Sequence, residues 1–519
     1  MVDTATKAPS QGQSRADNLG LIFSALMLTM LMSSLGQMIF SSALPTIVGE
    51  LGGVDHMSWV ISAFLVTMTI AMPISGKLGD MLGRKWLYVG GIVVFIIGSA
   101  IGGFAQSMTM LIIGRGIQGF GAGFMMITAQ AIIAEVTTAR ERGKYVGILG
   151  GVFGVSSVLG PVLGGWFTDG PGWRWGLWIN IPLGLLAMTV CIIVLKLRVG
   201  NGSIRRFDWL GATCISATTT ALILMTTWGG TTYPWGDPII LTLGVFVVIG
   251  TVLTIVVESR VAEPLLPISL FKHRNMALAT AAGTLMGLAM FGVLGYVPTY
   301  LQMVHTLTPT EAGLMMIPMM LGMIGVSTTT GFLIARRGSY KYYPIVGMAL
   351  LTVVLWWMSR LTPEVSLRQL GVEFLLFGTG LGLTMQVLVL IVQNSFPISQ
   401  VGTATAANNF FRQIGGALGA SLVGSLFINN MKDELETAIP AALAAMGPQG
   451  AAYAGQFSAG AGRLTPEFVA GLPQPLVDAI TQAYNDGLTP VFLLLMPLSV
   501  VAMLLLLPVT EERLKEVIA

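Results

Sequence analysis

The sequence predicts an all-α membrane protein of fourteen transmembrane helices, built as two six-helix halves with two helices inserted between them. Three observations lead there. Of 519 residues, 54% are hydrophobic and only 10% charged, against about 25% charged in ordinary soluble proteins, and the mean hydropathy is +0.78. The apolar residues fall in unbroken runs of bilayer length rather than in alternating patterns, which selects helices over a β-barrel. A loop that follows the second run recurs after the tenth.

Taken in chain order, a polar tail over 1–18 precedes the first run, 19–43, which is full membrane length and too long for a signal-peptide core. Runs at 58–78, 86–105, 109–132, 143–168 and 175–197 complete a first bundle spanning 19–200. Runs at 209–228 and 238–257 lie within 201–260. A second bundle over 261–510 holds 275–301, 311–334, 342–360, 369–392, 401–429 and 489–509, followed by a tail at 511–519. The long connection 430–488 is rich in Ala, Gly and Pro and is expected to be an outer-face loop, with a short amphipathic helix near Pro475–Tyr484. Cys191 and Cys214 both lie in apolar runs, which excludes a disulfide framework.

The duplicated loop fixes the order of the halves. Gly76, Leu78 and Gly83 recur as Gly331, Leu333 and Gly338, with basic residues around the second glycine of each copy. The shift is eight runs where two six-helix halves would give six, so runs seven and eight read as an insertion. The copies differ chemically, since Ala335 stands where the first has Asp80. With an even number of crossings both termini share a face. The 27 Lys and Arg then divide 20 to 5 in favour of that face, leaving Arg115 and Arg412 inside spans. This bias makes the termini cytoplasmic, and the expected location is the cell (plasma or inner) membrane.

These motifs resemble the major facilitator superfamily, specifically its fourteen-span drug:proton antiporter branch. The resemblance is carried by Gly76–Lys85, by Arg115-Gly116-Ile117-Gln118-Gly119, and by Gly154 with Gly160-Pro161-Val162-Leu163-Gly164-Gly165, which looks like the antiporter motif of exporters. Trp173–Pro182, Pro298–Gln302 and Phe410–Gly416 extend it. One position departs: the branch usually carries an Asp in span one, and here Gly36 occupies its place and Met38 that of a Thr. The resemblance implies the major facilitator fold, alternating access and an Asp80 loop that meets the start of span thirteen.

Physical chemistry singles out the same positions. A guanidinium at membrane depth costs at least about 2.5–3.5 kcal/mol, so Arg115 and Arg412 are expected to face a cavity or polar partners. Asp80 suits the positive end of a neighbouring helix or Arg84. Glu373 is the one acid placed plausibly within a span, and it stands in for the missing span-one acid as a protonatable site. Gln37, Gln118, Gln386 and Gln393 are expected cavity residues because lipid penalises their amides, and Met38 and Phe411 are expected there with them. Gly147/Gly151, Gly150/Gly154 and Gly160/Gly164 are small-residue pairs for close helix packing, and Pro161 kinks that helix.

No phosphate-cradling Gly-x-x-x-x-Gly-Lys-Ser/Thr loop occurs, so ATP does not power the chain. His56, His273 and His305 lack metal-ligand spacing, and a net charge of +3 gives no field for nucleic acid. The expectation is a monomeric, cofactor-free, proton-coupled exporter of hydrophobic, cationic drugs or toxic compounds, contributing to antibiotic resistance. Two alternatives remain: export of an endogenous lipid, metabolite or amino-acid-like compound, and a membrane-embedded lipid-modifying enzyme.

Overall fold

The computed structural model describes residues 11–52, 56–197, 202–230, 232–450, 453, 468–469, 471–512 and 514. Residues 1–10 and 515–519 of the two tails, 454–467 of the long connection, and the basic residues Lys7, Arg198, Arg463, Arg513 and Lys515 lie outside them, as do the side chains of Arg15 and Pro161. Among the described residues the regular elements are helices: α1 (Gln11–Met38), α2 (Phe40–Leu51), α3 (Met57–Leu82), α4 (Arg84–Gly103), α5 (Met108–Val136), α6 (Ala139–Asp169), α7 (Trp175–Trp178), α8 (Asn180–Val194) and α9 (Trp209–Trp228). These are followed by α10 (Pro238–Arg260), α11 (Ile268–Lys272), α12 (Arg274–Val304), α13 (Pro309–Met315), α14 (Ile317–Arg337), α15 (Tyr342–Met358), α16 (Leu367–Asn394), α17 (Val401–Ala445) and a last helix, α18 (Gln474–Leu506).

Twelve helices among the described residues are long and apolar enough to cross a membrane. The two expected runs outside that set are helical but weaker: α6 is diluted by glycine, and α15 has only 17 residues. The run expected at 19–43 is divided at Ile39 between α1 and α2. The N–H of Ile39 still bonds the carbonyl of Leu35 at 2.9 Å and its dihedrals stay helical, so the chain passes from α1 to α2 without a loop. The connection expected at 430–488 is shorter than the sequence suggested, because α17 continues to Ala445 and α18 begins at Gln474. At 1.5 Å per residue the 45 residues of α17 run about 68 Å, more than twice the roughly 30 Å hydrocarbon core.

Packing follows the small residues. Helices α1, α3, α4, α5, α6 and α8 pack on one another, and so do α12, α14, α15, α16, α17 and α18. The two groups meet where α6 lies on α14 and α16, and where α17 lies on α3 and α5. A Cβ on Gly76 would fall 2.7 Å from the carbonyl of Gly402, and one on Gly147 2.5 Å from that of Ser327. Only hydrogen fits at these crossings, so glycine there lets backbones touch. Helices α9 and α10 pair with each other, and α9 leans on both α3 and α17. The apolar α10 presents nearly all its surface outward, with Leu241, Phe246, Val248 and Val252 more than half exposed. In a membrane that surface meets lipid rather than water.

Candidate functional site: a central cavity and its closed end

Residues of both helix groups converge on a cavity of about 560 Å³, counted with its opening to solvent. Ser33, Ser34 and Gln37 of α1, Met68 of α3, Met126 and Gln130 of α5, and Phe153 of α6 line one side. Met290 and Phe291 of α12, Met385 and Gln386 of α16, and Arg412 and Gln413 of α17 line the other. Arg412 is the one charged side chain among these lining residues. It is 4% exposed; Nη2 donates to Asn409 Oδ1, and Nη1 has no partner. Asn409 in turn donates to Gln130 Oε1 at 2.9 Å, tying α17 to α5. The wall is thus flexible thioether and aromatic surface around one incompletely satisfied cation.

One end of the cavity is shut by polar ties that all lie on the face carrying the C-terminal segment. Asp80, at the end of α3, accepts from the backbone N–H of Gly402 at 3.1 Å and of Thr403 at 2.7 Å, and from the Thr403 hydroxyl at 2.9 Å. Arg84 braces it: Nη2 donates to Asp80 Oδ1 at 2.8 Å and to the Ile398 carbonyl at 2.7 Å, while Nη1 reaches Glu135 at 3.0 Å. Nearby, Arg142 Nη2 holds the Ala134 carbonyl at 2.7 Å, and Arg140 binds the carbonyls of Ala335 and Arg336 at the end of α14. Gln393 donates to the Gln130 carbonyl at 3.3 Å and to Thr405 at 3.1 Å. A carboxylate against the exposed N–H groups of a helix start is favoured by the helix dipole, about 0.3–1 kcal/mol when exposed and up to about 2 when partly buried.

Of the expected cavity residues, the structure brings Gln37, Gln386 and Arg412 together and places the others elsewhere. Gln393 belongs to the closed end. Phe411 stacks edge-on against Phe271 and Phe410. A Cβ on Gly160 would strike Met38, so these two form a packing contact between α6 and α1. Gln118 donates to Ser99 at 2.9 Å and accepts from Arg115 at 2.7 Å. Arg115 itself is 0% exposed and does not line the cavity. Its Nη1 donates to the Gly36 carbonyl at 2.7 Å and Nε to that of Val60 at 3.2 Å, with Phe40 and Phe64 rings each 4.3 Å from the guanidinium carbon. Helix carbonyls and ring faces hold it in place of an acid, and Nη2 has no hydrogen-bond partner.

Glu373 is 0% exposed on α16, with Oε1 accepting from Gln369 at 2.9 Å and Oε2 unpartnered, away from the cavity lining. In the glycine-rich helix α6, Gly147, Gly150, Gly151 and Gly154 face Ser327, Ile324 and Met323 of α14. Gly164 is buried and Gly165 has open space where a side chain would sit. The sequence reading missed Gln130, Asn409 and Gln413. Their signal was available, since each is an amide in an apolar run, and Asn409 sits one helical turn before Arg412.

A cavity between two helix groups, closed at one end by breakable polar ties, is the build of a membrane transporter. The chain belongs to the Major Facilitator Superfamily, whose profile matches residues 26–420. An uncharacterized MFS-type transporter of Mycobacterium tuberculosis is 39% identical over 497 residues, covering 96% of this chain and 70% of that one. The Multidrug transporter protein MdtP of Bacillus subtilis is 37% identical, covering 78% and 75%, and the Multidrug resistance protein 3 of the same species is 32% identical, covering 94% and 95%. The crystal structure of the human organic anion transporter MFSD10 superposes with a TM-score of 0.60 at 15% identity, covering 92% of this chain and 99% of that one, a likeness of fold. The chain is therefore a multi-pass membrane transporter with multidrug-transporter and efflux-pump relatives, not an enzyme.

Proposed function

We propose that the protein is a proton-coupled exporter of hydrophobic small molecules that works by alternating access. Fourteen helices cross the membrane, the twelve apolar ones together with α6 and α15, in a six-plus-two-plus-six order with α9 and α10 as the insertion. The separate packing of the two groups and the peripheral place of α10 support that order. The C-terminal face is cytoplasmic by its excess of Lys and Arg. The conformation is then one with the inner end shut and the cavity served from outside. Protonating Asp80 removes the charge that holds Thr403 and Gly402, and releases the inner end. Glu373 is a further place where a proton acts within the cycle, and Arg115 holds the α1 and α3 backbones through the Gly36 and Val60 carbonyls.

The observation that carries this reading is the cavity lining: apolar Met and Phe surface from both groups around Arg412, with no carboxylate among the lining residues. That lining changes the expected substrate. An unpaired guanidinium nitrogen repels a cationic drug and attracts an acceptor or anionic group on an apolar body. The favoured substrates are neutral or anionic amphiphiles.

The test is transport in everted vesicles and in an efflux-deficient host, using matched neutral, anionic and cationic dyes. Uptake of neutral and anionic dyes that collapses with an uncoupler is expected. Uptake that ignores the proton gradient refutes coupling, and exclusive transport of cations refutes the cavity assignment.

A further inference from the structure

The hairpin of α9 and α10 carries two carboxylates on the C-terminal face that the cycle above does not use. Asp208 caps the start of α9, its Oδ1 accepting from the Gly211 N–H at 2.7 Å. Glu258 lies in the last turn of α10, its Oε2 accepting from the Leu266 N–H at 2.9 Å. Each keeps its second oxygen, Asp208 Oδ2 and Glu258 Oε1, without a partner. The residues are 5% and 4% exposed, so water does not supply what the protein withholds. Both free oxygens border one point in space, since a Cβ on Gly211 would collide with Asp208 Oδ2 and lie 2.7 Å from Glu258 Oε1. The absence of a side chain at Gly211 is what lets α9 and α10 bring the two acids face to face.

The surroundings do not neutralise the pair. Lys77 on α3 is the cation close enough to act on Glu258, but its ammonium is held by Glu263 at 2.5 Å. Arg205 and Arg206 are exposed on the incoming loop. Two carboxylates facing each other away from water cannot both stay charged, and the ordinary resolution is one shared proton.

We propose that Asp208 and Glu258 hold one proton between them, forming a proton-binding site on the inserted hairpin at the C-terminal face. The hairpin is wired to the closed end of the cavity. The Gly202 N–H donates to the Met81 carbonyl at 3.0 Å, and Lys77 meets Glu263, so both connections land within a turn of Asp80. Helix α9 also packs on α3 and α17, the two helices that Asp80 joins. Losing the shared proton adds a negative charge beside Lys77 and pulls it from Glu263, which shifts the end of α3. The proton site stands independently of the export reading, whereas its effect on the closed end rests on that reading.

Infrared titration of the full chain in lipid nanodiscs tests the site. A protonated-carboxyl band at neutral pH is expected in the wild type, and Glu258→Gln removes the component that belongs to this pair, leaving any that belongs to the buried Glu373. In Asp208→Asn the band titrates at lower pH, because the facing charge is gone. Spectra of both variants that superpose on wild type at neutral pH overturn the proposal. Should Glu258→Gln fail to insert, the Asp208→Asn shift decides alone: a midpoint unchanged from wild type overturns it. Spin labels on cysteines replacing Trp86 and Ser399 then test the link. A pH-dependent distance change that disappears in Glu258→Gln supports it, and one that persists while the band is lost removes the link but leaves the site.

Discussion

Asp80 and Thr403 lie on different helix groups, 323 positions apart in the chain, yet the carboxylate accepts both the backbone N–H of Thr403 at 2.7 Å and its hydroxyl at 2.9 Å. With Gly402 and Arg84 completing the set, one side chain takes four hydrogen bonds at the closed end of the cavity. Replacing Asp80 by Asn keeps the shape and removes the charge. Transport is expected to fall at least about tenfold, the effect of losing roughly 1.4 kcal/mol from one state of the cycle. Insertion should persist, and cysteines near Ser399 should label faster. Wild-type labelling with wild-type flux would remove Asp80 from the gate.

Arg412→Met leaves an apolar wall of similar length and deletes the one charge among the described lining residues. Flux of anionic dyes should drop with a rise in KM, while neutral hydrophobic dyes are retained. Arg412→Lys should restore part of the anion flux but not the contact with Asn409, since an ammonium is a point charge on a flexible stem. Equal loss for every dye would mark Arg412 as structural.

A side chain fits at position 36: its Cβ would rest 3.5 Å from Phe95 and 3.6 Å from Phe64, ordinary contact distances, on the residue whose carbonyl accepts from Arg115 Nη1. Gly36→Ala should gain about 0.5–1 kcal/mol from helix propensity alone. Gly36→Asp should melt higher than Gly36→Ala, because Arg115 already donates to the Gly36 carbonyl and a carboxylate on that residue is close enough to act on a buried guanidinium whose Nη2 has no hydrogen-bond partner. Melting temperatures of the two purified variants check this, and Gly36→Asp melting below Gly36→Ala would show that the guanidinium is already fully satisfied.

Gly147→Val places a branched side chain where a Cβ alone falls 2.5 Å from the Ser327 carbonyl. Overpacking of this kind costs about 1–3 kcal/mol, and it acts only where α6 and α14 touch. The variant should fold but disfavour the closed C-terminal end, seen as increased labelling of that face and a leak of substrate. Unchanged labelling would show that α6 and α14 yield without cost.

On the opposite face the Glu50 carboxyl lies below the usual carboxylate range, chiefly through its hydrogen bond from Arg174 at 2.5 Å and then that from the Trp173 indole at 2.8 Å. A depressed folded-state value means the contribution to stability is present above the unfolded pKa, about 4.3, and fades as pH falls through the folded one. The acid limb of the melting curve should therefore flatten in Glu50→Gln, with no difference from wild type in slope near neutral pH. An unchanged acid limb would discount this contact.

The helices were legible because bilayer length and apolarity are local properties, and so was the Asp80 loop, whose second copy gave it away. Arg412 was legible for a related reason: a cation in an apolar run must find a polar place. Arg115 obeyed the same rule with a different outcome, since backbone carbonyls from α1 and α3 and two phenylalanine faces satisfied it inside one helix group. Glu258 was passed over because its run ended at 257 by hydropathy, while α10 continues to Arg260 and turns the residue inward.

Residue type along the chain by itself determined that this protein is helical and embedded, since the transfer of apolar side chains and backbone amides into lipid depends on composition and not on partners. Which polar groups face one another was decided by tertiary structure alone. Asp80 finds the start of α17, Arg412 finds the cavity and Asp208 finds Glu258 only after glycine-faced helices have closed to contact, because hydrogen bonding and charge act over a few ångströms and sequence separation carries no such distance.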